Sequence, residues 1–149
     1  MTATVQHRQS SASPADIEAH LRRCDAEFNP PLSQRLDIAE YAAKLAAKAV
    51  NMEAWGGDEL VGLVSAYCND PQGVVAYVSN VSVQPDHARR GLAAALLTRL
   101  VDHARGLGLR RVDLEVHPRS LGAVHLYTRT GFTTTARDDH AVKMSLHLG

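Results

Sequence analysis

The residues with the clearest capacity for chemistry lie in one segment, residues 81–97, VSVQPDHARRGLAAALL. A β-branched run leads through a proline to Arg89, Arg90 and Gly91, and an alanine- and leucine-rich run typical of a helix follows. The N-terminus of a helix carries partial positive charge, so two arginines there are unfavourable without an anion. A strand, a glycine turn and a helix also direct several backbone N–H groups at one point. The segment predicts a phosphate site, unless the glycine only eases a turn and the arginines are solvated.

A second segment, RVDLEVH at residues 111–117, has the period of a β-strand. Alternate side chains point to opposite faces of a strand, which separates three polar residues from three apolar ones: Asp113, Glu115 and His117 from Val112, Leu114 and Val116. A sheet between helices normally buries both faces. Acids on one face therefore indicate a water-filled cavity or a functional site.

Several other kinds of site are disfavoured by spacing. The chain has no GxxxxGK[ST] phosphate loop, and Gly106 and Gly108 follow a helix without the third glycine that a dinucleotide fingerprint requires. Its eight histidines and two cysteines form no HxH, HxxxH or CxxC pattern, so we expect no metal. Cys24 and Cys68 are expected to be free thiols.

Length and charge limit the function classes further. The 149 residues fit one domain, 1–149, and 16 Lys plus Arg balance 16 Asp plus Glu, which gives no case for a nucleic-acid or membrane-surface partner. The basic run RGLGLRR is too short and too poor in aromatic residues to change this. No stretch has the length of a membrane span or the pattern of a signal peptide, so we expect a soluble cytoplasmic protein.

The coarse pattern predicts an α+β protein with a central parallel βαβ crossover. Capping signals and apolar periodicity predict helices at about 14–24, 37–49, 90–107 and 120–131, the last ending at a left-handed Gly131. The predicted strands are 52–55, 60–68, 74–83, 112–116, 133–136 and 141–148.

Residues 83–97 resemble the GNAT superfamily of N-acetyltransferases, in which a strand ending V-x-P leads into [QR]-x-x-G-x-[GA] at the start of a long helix. Pro85, Gly91 and Ala93 match this pattern, and Ala88 stands where Gln or Arg is usual. Residues 114–132, LEVHPRSLGAVHLYTRTGF, resemble the family's L-x-V, N-x-x-A, L-Y and G-F sequence, with Ser120 in place of Asn. The terminal VKMSL resembles its last strand.

The resemblance implies a mixed, mostly antiparallel sheet of about six to seven strands with helices on both faces. It implies an acyltransferase that moves an acetyl group from acetyl-CoA, as cosubstrate, to a primary amine. The expected cofactor contacts are the backbone of Val81 and Val83 for the pantetheine arm, the turn and helix start for the pyrophosphate (Ala88, Arg89, Arg90, Gly91, Leu92 and Ala93), and Ser120 and Ala123 near the arm.

Acetyl transfer to an amine needs a base for the amine proton and an acid for the leaving thiolate. Tyr127 occupies the position of the family's thiolate-protonating tyrosine; the alternative is an aromatic packed above the cofactor. Glu115 lies twelve residues earlier, a spacing that resembles the ribosomal-protein alanine acetyltransferases, where the matching glutamate is the base. The alternatives for the base are a Glu115 engaged in an ion pair with an arginine such as Arg111, His117, and a water relayed from Ser79 or Asn80.

The acceptor amine is left open between small amines, amino sugars, amino acids and protein N-termini. We expect segments 27–35 and 137–140 to line its site, with Glu27, Asp138 and Asp139 either receiving a cationic amine or simply solvated. A homodimer through an edge strand is compatible with the pattern. The alternative function is a non-catalytic module that binds acyl-CoA for regulation or interaction.

Overall fold

The fold is built on one seven-stranded sheet in the order β1-β2-β3-β4-β5-β7-β6, seen in a computed structural model that describes residues 4–149. The strands are β1 Val5–Gln9, β2 Val50–Gly56, β3 Glu59–Tyr67, β4 Val75–Val83, β5 Arg111–Val116, β6 Thr133–Arg137 and β7 Val142–His147. The helices are α1 Pro14–Cys24, α2 Ile38–Lys48, α3 Leu92–Gly106 and α4 Leu121–Thr130. The predicted mixed sheet with helices is confirmed.

The helices cover the two faces of the sheet with two apolar cores. On one face, α1 and α2 pack on β2 and β3 through buried side chains such as Ile17, Leu45 and Leu63. On the other face, α3 packs across β2 to β5 through Leu96 and Leu100. Among residues 4–149, no helix is long and apolar enough to cross a bilayer.

The predicted parallel pair lies at the centre of the sheet, where β4 and β5 are joined through α3. Pairing runs from Val75 with Arg111 to Val78 with Leu114 and stops there. The next residue of β4, Ser79, lies in an irregularity of the β3–β4 register, between the pairs formed by Val78 and Asn80. The strands therefore diverge beyond this point, and the upper half of β4 has no partner on its β5 side.

The strand β1 is absent from the sequence-based prediction. Its sequence, VQHRQ, is mostly polar, and it pairs only with β2 at an edge of the sheet. The segment after it is fixed by a fully buried carboxylate, Glu53, which accepts hydrogen bonds from the backbone N–H groups of Ser11 (2.9 Å) and Ala12 (3.0 Å) and from the indole of Trp55 (2.9 Å). These long-range contacts leave no local pattern in the sequence.

A buried polar chain ties α1 to the upper half of β4. The Nδ1–H of His20 donates to the carbonyl of Leu60 (2.9 Å), because a carbonyl can only accept, so Nε2 accepts from the hydroxyl of Ser82 (2.8 Å). The Ser82 oxygen accepts in turn from the amide of Asn80 (3.0 Å). Burial lowers the pKa of His20 from 6.5 to about 4. The neutral imidazole therefore holds the strand at neutral pH.

We expect this histidine to make stability depend on pH. Its pKa is lower in the folded chain than in the unfolded chain, so protonation favours unfolding, and the free energy of unfolding falls as the pH drops from 6.5 toward 4. The loss attributable to His20 between pH 7.5 and 5 is about 2 kcal/mol. Urea denaturation at the two pH values measures it. His20→Asn should remove most of this decrease, whereas the exposed His125→Asn should retain it; an equal decrease in all three proteins would contradict the assignment.

Candidate functional site

A cleft of 590 Å³ opens where β4 and β5 diverge. Its floor is formed by the two strands, from Val78 to Val81 and from Leu114 to His117. One rim is the start of α4, with Ser120, Leu121 and Ala123, and the other is the connection between α1 and α2. The two rims touch where the amide of Asn29 donates to the hydroxyl of Ser120 (3.2 Å).

The irregularity at Ser79 changes which side chains face which helices. Below it, Ala76 and Val78 belong to the core under α3, whereas above it Asn80 and Ser82 face α1. Tyr41 of α2 secures the irregularity, because its hydroxyl donates to the carbonyl of Ser79 (3.0 Å). The backbone of β4 is thus fixed at the point where the cleft begins.

After the C-terminal end of β4, the chain forms a turn that is rich in unpaired backbone N–H groups. A short 3-10 turn, Pro85–His87, leads to Arg89 and Gly91 with φ of 64° and 76°, and α3 begins at Leu92, slightly later than predicted. The six consecutive N–H groups of residues 89–94 have no backbone acceptor in residues 4–149. Such a row of donors at a helix N-terminus is a suitable site for a phosphate group.

A groove of 630 Å³ continues from this turn between α3 and α4. Arg89 and Gly91 line its near end, and Thr98 and Arg129 line it further along. Arg129 is absent from the sequence-based predictions, because only the packing of α4 beside α3 brings it to the turn. The cleft, the turn and the groove together provide sites for a long ligand with phosphate groups.

Tyr127 lies in the cleft on the α4 side. The residue is 6% exposed, and its ring packs edge-on against Phe132 with centroids 5.9 Å apart. Burial raises the pKa of the phenol above its ordinary value. In residues 4–149 the hydroxyl has no hydrogen-bond partner. A tyrosine in this state keeps its proton at neutral pH and has it available for a ligand in the cleft.

Glu115 also lines the cleft, but its side chain is on the opposite face of the sheet from the α3 core. It is 46% exposed, and its carboxylate is 3.8 Å from the ammonium of Lys143 on β7. Arg111, the partner considered from the sequence, is bound instead to Asp113 at 3.1 Å. Exposed ion pairs contribute little to stability, about 0–1 kcal/mol, so Lys143 does not prevent Glu115 from accepting a proton.

The other candidate bases differ in how firmly they are held. The Nδ1 of His117 accepts from the backbone N–H of Arg119 (3.1 Å), so in the neutral ring Nε2 carries the proton and the one basic nitrogen is already engaged. Ser79 and Asn80 line the cleft, but Ser79 is bonded to Tyr41, and Asn80 is 3% exposed. A direct role is therefore easier for Glu115 than for His117, and the side chains of Ser79 and Asn80 fit better as supports.

The two segments expected to line an acceptor site separate in the structure. From the first, Glu27, Phe28, Asn29 and Arg35 line the cleft. The second, Arg137 to His140, borders an adjoining pocket of 630 Å³ together with His117 and Arg119. Asp138 is committed to the turn itself, accepting from the N–H groups of His140 and Ala141, whereas Asp139 remains at the surface.

Residues 4–149 contain no group of three or more His, Cys, Asp or Glu side chains placed to hold a metal ion. Both cysteines are free thiols, as expected, with Cys24 buried and Cys68 half-buried.

Comparison with known families gives one match over most of the chain: the model of the acetyltransferase (GNAT) family matches residues 15–132. The [ribosomal protein bS18]-alanine N-acetyltransferase of Escherichia coli is 35% identical over 48% of this chain and 55% of its own length. The mycothiol acetyltransferase of Geodermatophilus obscurus is 39% identical over 57% of this chain and 29% of its own length. The chain thus spans about a third to about half the length of these curated relatives.

Solved structures share the whole fold at low identity. A GNAT-family acetyltransferase from Desulfovibrio desulfuricans has a TM-score of 0.80 with 17% identity, covering 98% of this chain and 100% of its own. An acetyltransferase-family protein from Salmonella typhimurium, solved with its cofactor acetyl-CoA, has a TM-score of 0.78 with 21% identity, covering 99% and 95%. These likenesses show the fold.

The turn at the start of α3 predicts a specific response to substitution. Gly91 has a φ of 76° and open space where a Cβ would be. In Gly91→Val, a branched side chain would strain the turn and fill the space in front of the amides. We expect binding of inorganic pyrophosphate, measured by titration calorimetry, to weaken about 10-fold or more, as expected for losing one charge-assisted hydrogen bond.

Gly108, at the far end of α3, is a matched control because it also has a positive φ (80°) and open space around it. Gly108→Val introduces a similar strain away from the turn and should leave pyrophosphate binding unchanged. Equal weakening in both variants would show that strain, and not the turn, controls binding.

Proposed function

This chain belongs to the GNAT family of acetyltransferases, and we propose that it is an acetyl-CoA-dependent N-acetyltransferase acting on a primary amine. The proposal takes residues 1–149 as a single domain of this kind. One observation carries it: β4, whose residues Val78 to Val81 line the cleft together with Tyr127, leads into the turn where the N–H groups of residues 89–94 have no backbone acceptor in residues 4–149. The turn would bind the phosphate groups of a thioester such as acetyl-CoA, and Tyr127 would act as the acid for its sulfur in the neighbouring cleft.

The residues expected to hold acetyl-CoA suit its chemical groups. The amides of Arg89 to Ala93, with the charges of Arg89 and Arg90, would hold the pyrophosphate, so the absence of Gln or Arg at Ala88 removes one side chain and no backbone donor. The unpaired edge of β4 offers backbone groups of Val81 and Val83 to the amides of the pantetheine arm. Ser120 and Ala123 line the same cleft. Bound acetyl-CoA supplies the thioester from which the acetyl group is transferred.

Tyr127 would act as the general acid. Its buried ring fixes the hydroxyl in the cleft, and its raised pKa keeps the proton until a strong base such as a thiolate lies beside it. The alternative is that Tyr127 only packs above the cofactor. An apolar contact of that kind would not need a hydroxyl, so the hydroxyl favours the role of an acid. In this proposal the tyrosine gives its proton to the sulfur as the carbon–sulfur bond breaks.

Glu115 would act as the general base for the amine. Glu115 and Tyr127 line the same cleft from opposite faces of the sheet, which supports separate roles for them as proton acceptor and proton donor. His117 is the second candidate, and it would accept the proton at Nδ1 in place of the contact with the N–H of Arg119. A water held by Ser79 or Asn80 is the third.

Relatives with similar sequences act on different amines. The acceptor of this chain must therefore be inferred from its own residues. By their names, one acts on the alanine of a ribosomal protein, one concerns mycothiol, and a third, from Escherichia coli, is an L-amino acid N-acyltransferase, 36% identical over 39% of this chain and 34% of its own length. A cytoplasmic location, the absence of nucleic-acid and membrane partners, and a homodimer through an edge strand stay predictions.

The proposed function is tested by thiol release from acetyl-CoA across a panel of primary amines. We expect turnover with at least one amine, and we expect Tyr127→Phe to lower kcat about 100-fold or more because the thiolate loses its acid. The KM for acetyl-CoA should change little, since the ring remains. Circular dichroism and thermal unfolding check that the variant is folded.

Tight binding of coenzyme A without turnover on any amine would contradict the proposal and favour the non-catalytic acyl-CoA-binding module. If Tyr127→Phe leaves turnover unchanged, the proposed acetyltransferase activity stands, but Tyr127 is not its general acid.

The role of Glu115 is tested against its ion-pair role by a pair of variants. If Glu115 is the base, Glu115→Gln should lower kcat about 100-fold, whereas Lys143→Ala, which breaks the same ion pair, should have little effect. Steady-state kinetics at saturating acetyl-CoA separate the two. Similar losses in both variants would assign Glu115 to structure, and no loss in either would assign the base to His117 or to a bound water.

A further inference from the structure

Beyond the proposed acetyl transfer, on which this inference rests, we propose that the acceptor is a free amino acid whose carboxylate is bound by Arg35. The proposal is carried by the charges that line the cleft, with Arg35 and Ser79 of the β4 irregularity in the same lining.

The cleft combines charges of both signs. Arg35 and Arg119 line it with Glu27 and Glu115. The ammonium of Lys143 approaches Glu115, but neither arginine has a carboxylate within 4.0 Å in the described part of the chain. A ligand that carries both an amine and an anion would complement such a lining. A polyamine would leave both arginines without an anionic partner, and its positive charges would be repelled by theirs.

Arg35 lines the cleft, whereas Arg119 lines both the cleft and the outer pocket. Arg35 follows the short 3-10 turn Leu32–Gln34 and donates its backbone N–H to Leu32. Its charge lies close enough to the phenol of Tyr41 to oppose the effect of burial, which raises the pKa of that tyrosine to about 12. The Tyr41 hydroxyl is itself bonded to Ser79, where β4 and β5 diverge. Arg119 follows β5 and also borders the outer pocket near the β6–β7 turn.

The geometry of an amino acid suits this arrangement. Its carboxylate is separated from its amine by a single carbon, and the guanidinium fork of arginine binds a carboxylate through two parallel hydrogen bonds. With the carboxylate at Arg35, the amine points along the cleft toward Glu115. A peptide N-terminus has a neutral amide in place of this carboxylate, so it would gain nothing from the arginine.

The reaction then balances without a further reactant. The amino nitrogen forms a bond to the acetyl carbon of acetyl-CoA, and the carbon–sulfur bond breaks. The ammonium loses one proton before the attack and the nitrogen loses a second after it, both through Glu115 to solvent. The sulfur takes a proton from Tyr127, and the tyrosinate regains one from solvent, so the products are an N-acetyl amino acid, coenzyme A and one released proton. The positive charge of the amine is lost, and the product retains only the carboxylate held by Arg35.

The test compares free L-amino acids with their carboxamides as acceptors. We expect kcat/KM to be about 10- to 100-fold higher for the free acids, the range expected for one charge-assisted pair. Arg35→Ala should remove this preference by lowering kcat/KM for the acids while leaving the carboxamides unchanged, and Arg35→Lys should restore part of it. Arg119→Ala, which removes the same charge from the outer part of the cleft, should retain the preference.

A binding experiment provides a readout that does not depend on turnover. Titration calorimetry of an amino acid into protein saturated with coenzyme A should show binding that Arg35→Ala weakens about 10-fold or more. This inference would be overturned by equal rates for acids and carboxamides, or by a preference for the acids that is lost in Arg119→Ala and kept in Arg35→Ala. Either result would leave the proposed acetyltransferase function intact. Failure of every amine and amino acid to release the thiol from acetyl-CoA would overturn both.

Discussion

The separation of β4 from β5 after Val78 and Leu114 is the constraint on which the rest of this molecule depends. Two parallel strands at the centre of a sheet normally satisfy each other's backbone groups along their whole length. Here they stop pairing halfway, so the upper half of β4 keeps unsatisfied backbone groups beside a cleft. A ligand with amides of its own can pair with them, which turns an unfavourable break in a sheet into a binding surface.

The surrounding structure keeps this break in place. Tyr41 fixes the carbonyl of Ser79 at the irregularity, and the chain from His20 through Ser82 to Asn80 ties the strand above it to α1. His20, Ser82 and Asn80 are buried, Tyr41 is half-buried, and all four are neutral at neutral pH, so they add rigidity without adding charge to the cleft. The charged groups lie at its two ends: free amides and arginines at the start of α3, and a mixed set of acids and arginines beneath the α1–α2 connection.

Local sequence signals were sufficient for much of this arrangement. Gly131 has the left-handed backbone that its place at the C-terminal end of α4 indicates, and the alternation of residues 111–117 places Glu115 on the face opposite the α3 core. Contacts between distant segments were not predictable in this way. The polar strand β1 depends on β2 and Glu53, the partner of Glu115 depends on the register of β7, and Arg129 reaches the turn only through helix packing. The roles of Tyr127 and Glu115 stay predictions that rest on placement and chemistry.

A crystal structure of the protein with coenzyme A would test the central claim most directly. The account predicts that β4 and β5 remain apart beyond Val78 and Leu114, that the pantetheine arm bonds to the backbone of Val81 and Val83, and that the pyrophosphate lies on the amides of residues 89–94. A coenzyme bound elsewhere, or a β4 and β5 that pair along their full length with the coenzyme outside the cleft, would contradict it.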